Sequence, residues 1–346
     1  MTLVSAGTAL AAYTTLRLGG PANRIVHATD ERELVEAVAE ADRTGESVLL
    51  LAGGSNLVVA DAGFPGTAVH VRTSGIAVEE DDCSGATVTV AAGEVWDELV
   101  AHAVTHGWVG IEALSGIPGS VGATPFQNVG AYGQEIADTV AAVRCFDRVA
   151  GGVRTFAAAD CGFGYRTSLF KQDPGRYLIL DVRLQLRLGD LGAPVRYAEL
   201  ARILGVEVGQ RAPLSAVREA VLSLRRGKGM VLDEADHDTW SAGSFFTNPV
   251  LDARAAARLP EDAPRWPQPD GRVKTSAAWL IEHAGFTKGY GDDRVSLSTK
   301  HTLALTNRGG ASTAQLLALA AEIRDGVQHA FDVRLVNEPV LVNCVL

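Results

Sequence analysis

Several protein classes are excluded by what this chain lacks. Its four cysteines, Cys83, Cys145, Cys161 and Cys344, form no CxxC pair and no metal-ligand rhythm. They read as small buried or half-buried thiols of a reducing cytosol, with no metal site. No apolar run approaches the ~18 residues that span a bilayer, so no membrane insertion is expected. Residues Met1 to Gly20 lack a basic segment followed by an apolar core, which predicts no export signal and a cytoplasmic location. Positive charge is scarce, 31 Lys and Arg against 41 Asp and Glu, net −10, which argues against nucleic acid as a partner. A small anionic ligand is still allowed, because it answers to a local cluster of charge. Basic residues do gather late, at Arg225, Arg226, Lys228, Lys274, Lys288, Arg294 and Lys300. No G-x-G-x-x-G opens a helix, which speaks against a Rossmann dinucleotide fold.

What is present suits a soluble globular protein of two or three modules: 346 residues, 47% hydrophobic and 21% charged. The pattern predicts a strand at Arg24–Thr29 and a helix capped by Asp30 and ended by Gly45. A buried strand, Ser47–Ala52, then runs into Gly53-Gly54-Ser55-Asn56, with Leu57-Val58-Val59 extended beyond. Strands at about 68–72 and 86–91 precede an amphipathic helix, Glu94–His106. Residues Ile111 to Gly133 are dominated by Gly, Pro, Ser and Asn and read as a long ordered loop, at most broken by one short helix. Loops of that kind are usually functional. Strands follow at about 140–148, 153–157 and 177–188, then a linker at Gly189–Pro194. Helices are expected at Tyr197–Leu204 and Leu214–Arg226, a surface loop at Leu259–Asp270 and a helix at Thr275–Gly285. Val295–Thr306 reads as a strand, Ser312–Phe331 as a long helix, and Val340–Leu346 as a strand returning to an earlier sheet. The whole is an α+β pattern with mixed sheets.

Two glycine loops stand out. In Ala52-Gly53-Gly54-Ser55-Asn56 the glycines allow close backbone approach, and successive N–H groups can cup phosphate oxygens. The second runs Ser115-Gly116-Ile117-Pro118-Gly119-Ser120-Val121-Gly122-Ala123, followed by Gln127-Asn128-Val129-Gly130-Ala131-Tyr132-Gly133. Together these resemble the FAD-binding signature of the UDP-N-acetylenolpyruvoylglucosamine reductase family, flavoproteins of the vanillyl-alcohol-oxidase (PCMH) type. Three later segments extend the resemblance over nearly the whole chain: Tyr165-Arg166-Thr167-Ser168-Leu169-Phe170-Lys171, then Ala242-Gly243-Ser244-Phe245-Phe246-Thr247-Asn248-Pro249, then Phe331 to Pro339. In the last, Glu338 matches the family's catalytic glutamate, and Asp332 stands where glycine is common.

The resemblance implies a two-subdomain FAD-binding module and a C-terminal α+β substrate-binding domain. Their expected bounds are 1–73 with the terminal strand 331–346, 74–222, and 223–330. It implies FAD, held without a covalent bond because neither loop contains histidine, and NADPH as hydride donor sharing the substrate cleft. Flavin contacts are assigned to Gly53, Gly54, Ser55, Asn56, Leu57, Ser115, Gly116, Ile117, Pro118, Gly119, Ser120, Gly122, Ala123, Asn128, Gly130 and Ala131. The implied reaction adds hydride to C3 and a proton to C2 of an enolpyruvyl ether. Arg166 would face the substrate carboxylate, Ser244 would give the proton, and Glu338 would hydrogen-bond the acidic end of the enolate. Tyr165, Tyr197, Lys228, Asn248 and Lys274 would contact the UDP nucleotide. A monomer is expected. Two rival readings remain open: a flavin oxidase of the same superfamily acting on a sugar or alcohol, and a non-catalytic nucleotide-sugar sensor.

Overall fold

A computed structural model describes residues 3–5 and 7–346. They form two compact units. The first comprises the described residues up to Thr8, with Ala22–Gly53 and Pro65–Gly227; the second comprises Ala9–Pro21, Gly54–Phe64 and Lys228–Leu346.

Two main sheets build the described residues of the first unit. In the smaller, the strand order is Leu3–Ser5, Ala22–Ala28, Phe64–Val71 and Val48–Leu51. Its helix, Glu31–Thr44, starts where the sequence predicts: the Asp30 side chain accepts from Glu33 N–H, and Gly45 closes it in the left-handed conformation that glycine adopts without strain. In the larger sheet the order is Gly152–Ala157, Val140–Asp147, Tyr177–Leu188, Gly85–Ala91 and Ile76–Asp81, all antiparallel. The strand Tyr177–Leu188 alternates as expected, with Leu178, Leu180, Val182, Leu184 and Leu186 buried. Helix Trp96–Thr105 covers that sheet with Trp96, Leu99 and Val100, each about 1.5–3 kcal/mol of apolar burial.

Phe146, Leu178 and Leu180 of the larger sheet share a core with Ala28, Leu34, Val38 and Val69 of the smaller sheet and its helix. Around that core Arg144 joins Glu31 and Asp181, and Arg148 joins Asp42. Helices Ala198–Leu204 and Leu214–Gly227 pack on Ala113 and Val195. The expected long loop carries two 3-10 turns, Glu112–Leu114 and Val121–Ala123, and a two-residue strand pair at Gly130–Ala131 and Gln134–Glu135.

In the second unit, helix Thr313–Phe331 begins with a capping box between Ser312 and Gln315. Its buried face, Leu316, Leu319, Ala320, Ile323 and Val327, shares a core with Val295, Leu297 and Leu305. The expected single strand 295–306 is in fact a hairpin, Val295–Leu297 with Leu305–Asn307. Ser298 breaks it, its Oγ accepting from the N–H groups of Lys300 and His301. Part of the expected loop 259–270 is also extended: Arg265–Pro267 pairs with Val273–Thr275. The C-terminal strand Val340–Val342 lies parallel to Leu57–Val59. Asp332 caps the long helix at φ 56°, a conformation that suits glycine better. No helix among the described residues is long and apolar enough to cross a membrane. The buried or half-buried reading holds for Cys145, Cys161 and Cys344, but Cys83 is exposed.

Candidate active site

The two glycine loops touch through Gly53 and Gly119. A Cβ on Gly53 would stand 2.7 Å from Gly119 Cα, and one on Gly122 would stand 2.5 Å from Ala92 Cβ. The second loop runs antiparallel to the entrance of helix Trp96–Thr105, with Val95 opposite Ser120. Trp96 N–H donates to the Gly119 carbonyl, and the Trp96 indole N–H donates to that of Leu114. The helix therefore fixes the loop from outside.

Part of the loop's donor capacity is spent within the protein. Gly116 N–H donates to Asp97 Oδ1 at 2.6 Å, Val121 to the Glu94 carbonyl, Gly122 to that of Ala92 and Ala123 to that of Ser120. Ser115 is buried, its hydroxyl bonded to the Glu112 carbonyl at 2.7 Å. Ile117 packs on the main core of this unit. Asn128, at φ 48°, works as a clamp: its Nδ2 donates to Glu135 and the Gly164 carbonyl, and its Oδ1 accepts from Ala137 N–H. Gly130 and Ala131 begin the small strand pair closed by Glu135 and Gln134.

Ser120 differs from these. Its hydroxyl is buried and meets no hydrogen-bonding partner among the described residues. That orphaned donor fits a flavin dinucleotide, whereas Gly53 and Gly122 are required by the close packing of the loops on Gly119 and Ala92.

Two acidic side chains that the sequence reading did not single out brace this region. Asp97 takes Arg218 in a two-pronged pair at 2.6 and 2.9 Å while holding Gly116. Burial works upward on the Asp97 carboxyl, but the bonds from Arg218 and Gly116 and the nearby charge of Arg225 outweigh it and hold it below the usual range. Glu112, 1% exposed, accepts from the N–H groups of Gly110 and Ala193 and from Gln134 Nε2. It thereby joins the start of the loop, its end and the 189–194 linker. Neither carried a sequence signal, since each is a lone carboxylate whose partners lie far along the chain.

Tyr165 and Arg166 occupy the tip of a tight turn closed by reciprocal backbone bonds between Gly164 and Thr167. Arg166 sits at φ 53°, a left-handed conformation costing a non-glycine residue roughly 1–2 kcal/mol. Its Nη2 donates to the Gly130 carbonyl, its carbonyl accepts from Lys171 Nζ, and its guanidinium lies 5.9 Å from the Tyr165 ring. Tyr197 precedes helix Ala198–Leu204 at its N-cap and is 48% exposed.

In the second unit Gly54 packs on the backbone of Tyr13 and Thr14, and the Asn56 carbonyl accepts from Val340 N–H. Leu57 starts the strand beside Val340. The segment carrying Ser244 is pinned by Phe245 and Phe246, each 1% exposed. Thr247 N–H donates to the Val336 carbonyl at 3.0 Å, and Glu338 N–H donates to that of Phe245 at 2.8 Å. Ser244 and Glu338, 94 positions apart, are thus brought onto adjoining segments that bridge at Phe246 and Asn337, whereas Arg166 belongs to the first unit. Asn248 Oδ1 accepts from Ala277 N–H at the start of helix Ala277–His283. Lys274 lies on the strand Val273–Thr275 with its Nζ 5.9 Å from the Trp266 ring, and Lys228 opens the last segment of the unit, half-buried.

The chain is similar to known proteins along nearly its whole length. Residues 22–156 match the family of FAD-binding domains, and residues 234–342 match the C-terminal domain of UDP-N-acetylenolpyruvoylglucosamine reductase. The reductase of that name from Cutibacterium acnes is 56% identical over 340 residues, covering 97% of this chain and 90% of the relative. The one from Salinispora arenicola is 58% identical over 346 residues, covering 97% and 95%. The crystal structure of UDP-N-acetylenolpyruvylglucosamine reductase from Thermus caldophilus superposes with a TM-score of 0.66 at 26% identity, over 99% of this chain and 100% of that one. The chain belongs to the UDP-N-acetylenolpyruvoylglucosamine reductase family.

Proposed function

We propose that this chain reduces the enolpyruvyl ether of UDP-N-acetylglucosamine to UDP-N-acetylmuramate with NADPH, in the synthesis of peptidoglycan precursors. The observation that carries the reading is the pairing of the Ser244 segment with the Glu338 segment, Glu338 N–H to the Phe245 carbonyl at 2.8 Å. The FAD that fits the glycine loops supplies, when bound, hydride taken from NADPH and delivered to C3 of the enolpyruvyl group.

The residues answer the charge that this addition creates. Negative charge builds on the C2 side and spreads into the substrate carboxylate. Arg166 is a permanent cation with a planar fork that matches a carboxylate, and its backbone turn holds it in advance of binding. Ser244 gives the proton to C2, a task a hydroxyl can perform because an enolate carbon is strongly basic and the donor is oriented. Glu338 hydrogen-bonds the acidic end of the enolate. Tyr165, Tyr197, Lys228, Asn248 and Lys274 bind the nucleotide, Asn248 through its Nδ2, since its Oδ1 is spent on Ala277.

The same reading keeps 1–73 with 331–346 and 74–222 for FAD and 223–330 for substrate. It makes the protein a monomer of the cytoplasm that binds no nucleic acid, in keeping with a net charge of −10. The test is optical. The purified chain should be yellow, bleach with NADPH and regain its colour on adding the enolpyruvyl nucleotide. Acid precipitation should release all the colour to the supernatant. A colourless chain, or a bleached one that the nucleotide does not restore, ends this reading.

A further inference from the structure

Thr15 is 5% exposed and remote in sequence from both the first glycine loop and the serine segment, yet it bonds to each. Its N–H donates to the Gly54 carbonyl at 3.3 Å, and its Oγ1 donates to the Ser241 carbonyl at 2.6 Å. The approach to Gly54 is close: a Cβ there would stand 1.8 Å from the Tyr13 carbonyl oxygen and 2.9 Å from Thr14 Cα. Neighbouring bonds brace the same strut. Asn307 Nδ2 donates to the Leu16 carbonyl at 3.0 Å, while Asn307 N–H donates to that of Trp240 at 3.0 Å.

Ser244 therefore hangs between two anchors. Downstream, Phe245 N–H is fixed to the Leu303 carbonyl at 2.7 Å. Upstream, Gly243 turns at φ 71°, and the Ser241 carbonyl just before it is held by Thr15. A buried carbonyl deprived of its donor shifts to find another. A shift of the Ser241 carbonyl would be transmitted over three residues to the Ser244 hydroxyl.

We infer that Thr15 is a positioning residue for proton delivery: its hydroxyl fixes the 241–245 segment relative to Gly54 of the flavin loop and so sets where the Ser244 hydroxyl stands. The inference rests on Ser244 being the proton donor. Thr15 touches neither reacting atoms nor, through its side chain, the flavin loop, and its role is distance and direction. Misplacement of a catalytic group by about 1 Å can cost on the order of 10²-fold in rate.

The experiment compares Thr15→Val, which keeps shape and loses the hydroxyl, with Thr15→Ser, which keeps the hydroxyl, in the flavin-loaded enzyme. Stopped-flow absorbance follows reduction by NADPH and reoxidation by the enolpyruvyl nucleotide separately. Thr15→Val should retain FAD and reduce within about twofold of wild type, but reoxidise ~10-fold or more slowly, with a larger solvent deuterium isotope effect on that half alone. Thr15→Ser should restore both values. Should Thr15→Val fail to fold or to hold FAD, Asn307→Asp removes the brace on Leu16 while keeping an acceptor, and should show the same one-sided slowing.

Equal slowing of both halves, or none in either variant, overturns the inference. Ser244→Ala run beside them separates it from the reading beneath. If Ser244→Ala slows reoxidation alone and Thr15→Val changes nothing, the strut falls and the proton donor stands. If Ser244→Ala slows both halves alike, the proton donor falls and the strut with it.

Discussion

The ring of Tyr197 meets the ring of Tyr132 edge-on, centroids 5.6 Å apart at 87°. Beside them Arg196 Nη1 donates to the Gly133 carbonyl, and a Cβ on Gly133 would stand 2.7 Å from Arg196 Cβ. The segment entering helix Ala198–Leu204 thus rests on the end of the second glycine-rich loop. Such an edge contact is worth about 0.5–1.5 kcal/mol, enough to hold the ring yet weak enough to be exchanged for a ligand. Tyr197→Phe keeps that contact and removes only the hydroxyl; Tyr197→Ala removes both. Both should weaken UDP-nucleotide binding, Ala more than Phe, with FAD content unchanged. Nucleotide should protect this segment from proteolysis in wild type and less so in the Ala variant. Unaltered affinity and protease sensitivity in both variants would remove Tyr197 from the nucleotide site.

Contact between the glycine loops gives a second expectation. With Gly119 Cα 2.7 Å from the place of a Gly53 Cβ, Gly53→Ala must push two backbone segments apart. Overpacking of that kind costs about 1–3 kcal/mol. The 450 to 280 nm absorbance ratio of purified Gly53→Ala should fall, and added FAD should raise its melting temperature more than that of wild type. Full flavin content at wild-type stability would show that the loops can part freely.

Much of this was legible in the sequence where local rules dominate. Asp30, Gly45 and Ser312 announce their helices because caps act within three or four residues. The alternation at Tyr177–Leu188 is plain because one face is buried throughout. The strand Ile76–Asp81 escaped notice because all six of its positions are exposed and no apolar period marks it. The hairpin at 295–307 read as one strand because Ser298-Thr299-Lys300-His301 holds no glycine or proline, and the turn depends on the Ser298 hydroxyl. The glycine loops were visible as motifs, but their supports were not. Asp97, Glu112 and Thr15 act on partners as far as 121, 81 and 226 positions away, beyond any local signal.

His70 supplies a pH dependence. Its Nδ1 lies 3.1 Å from that of His27, on the neighbouring strand of the smaller sheet. Burial first, then the charges of His27 and Arg72, lower its pKa to about 4 from the ordinary 6.5. The folded state therefore binds fewer protons than the unfolded state between those values. Its contribution to stability is fully present above pH ~6.5 and is lost as pH falls toward 4. Thermal melts from pH 7.5 down to 5 should show a declining midpoint, and His70→Gln should flatten that decline. The same slope in the variant would place the titrating group elsewhere.

Ser244 carries the sharpest expectation, because its proposed task belongs to one half of the cycle. Reduction by NADPH protonates no carbon, so Ser244→Ala should leave it close to wild type. Reoxidation by the enolpyruvyl nucleotide needs a proton at C2, and loss of a positioned general acid typically costs ~10²–10⁴-fold. The serine's segment is held by Phe245, Phe246 and the bonds to Leu303, Val336 and Glu338, none of which uses the Ser244 side chain. Removing the hydroxyl should therefore leave the melting temperature within about 1 °C of wild type, a surface-like change of under ~0.5 kcal/mol. Ser244→Cys should recover part of the rate, since a thiol also donates a proton. A Ser244→Ala enzyme that slows equally in both halves, measured separately by stopped-flow absorbance, would make the serine structural and leave Glu338 as the next candidate for the proton.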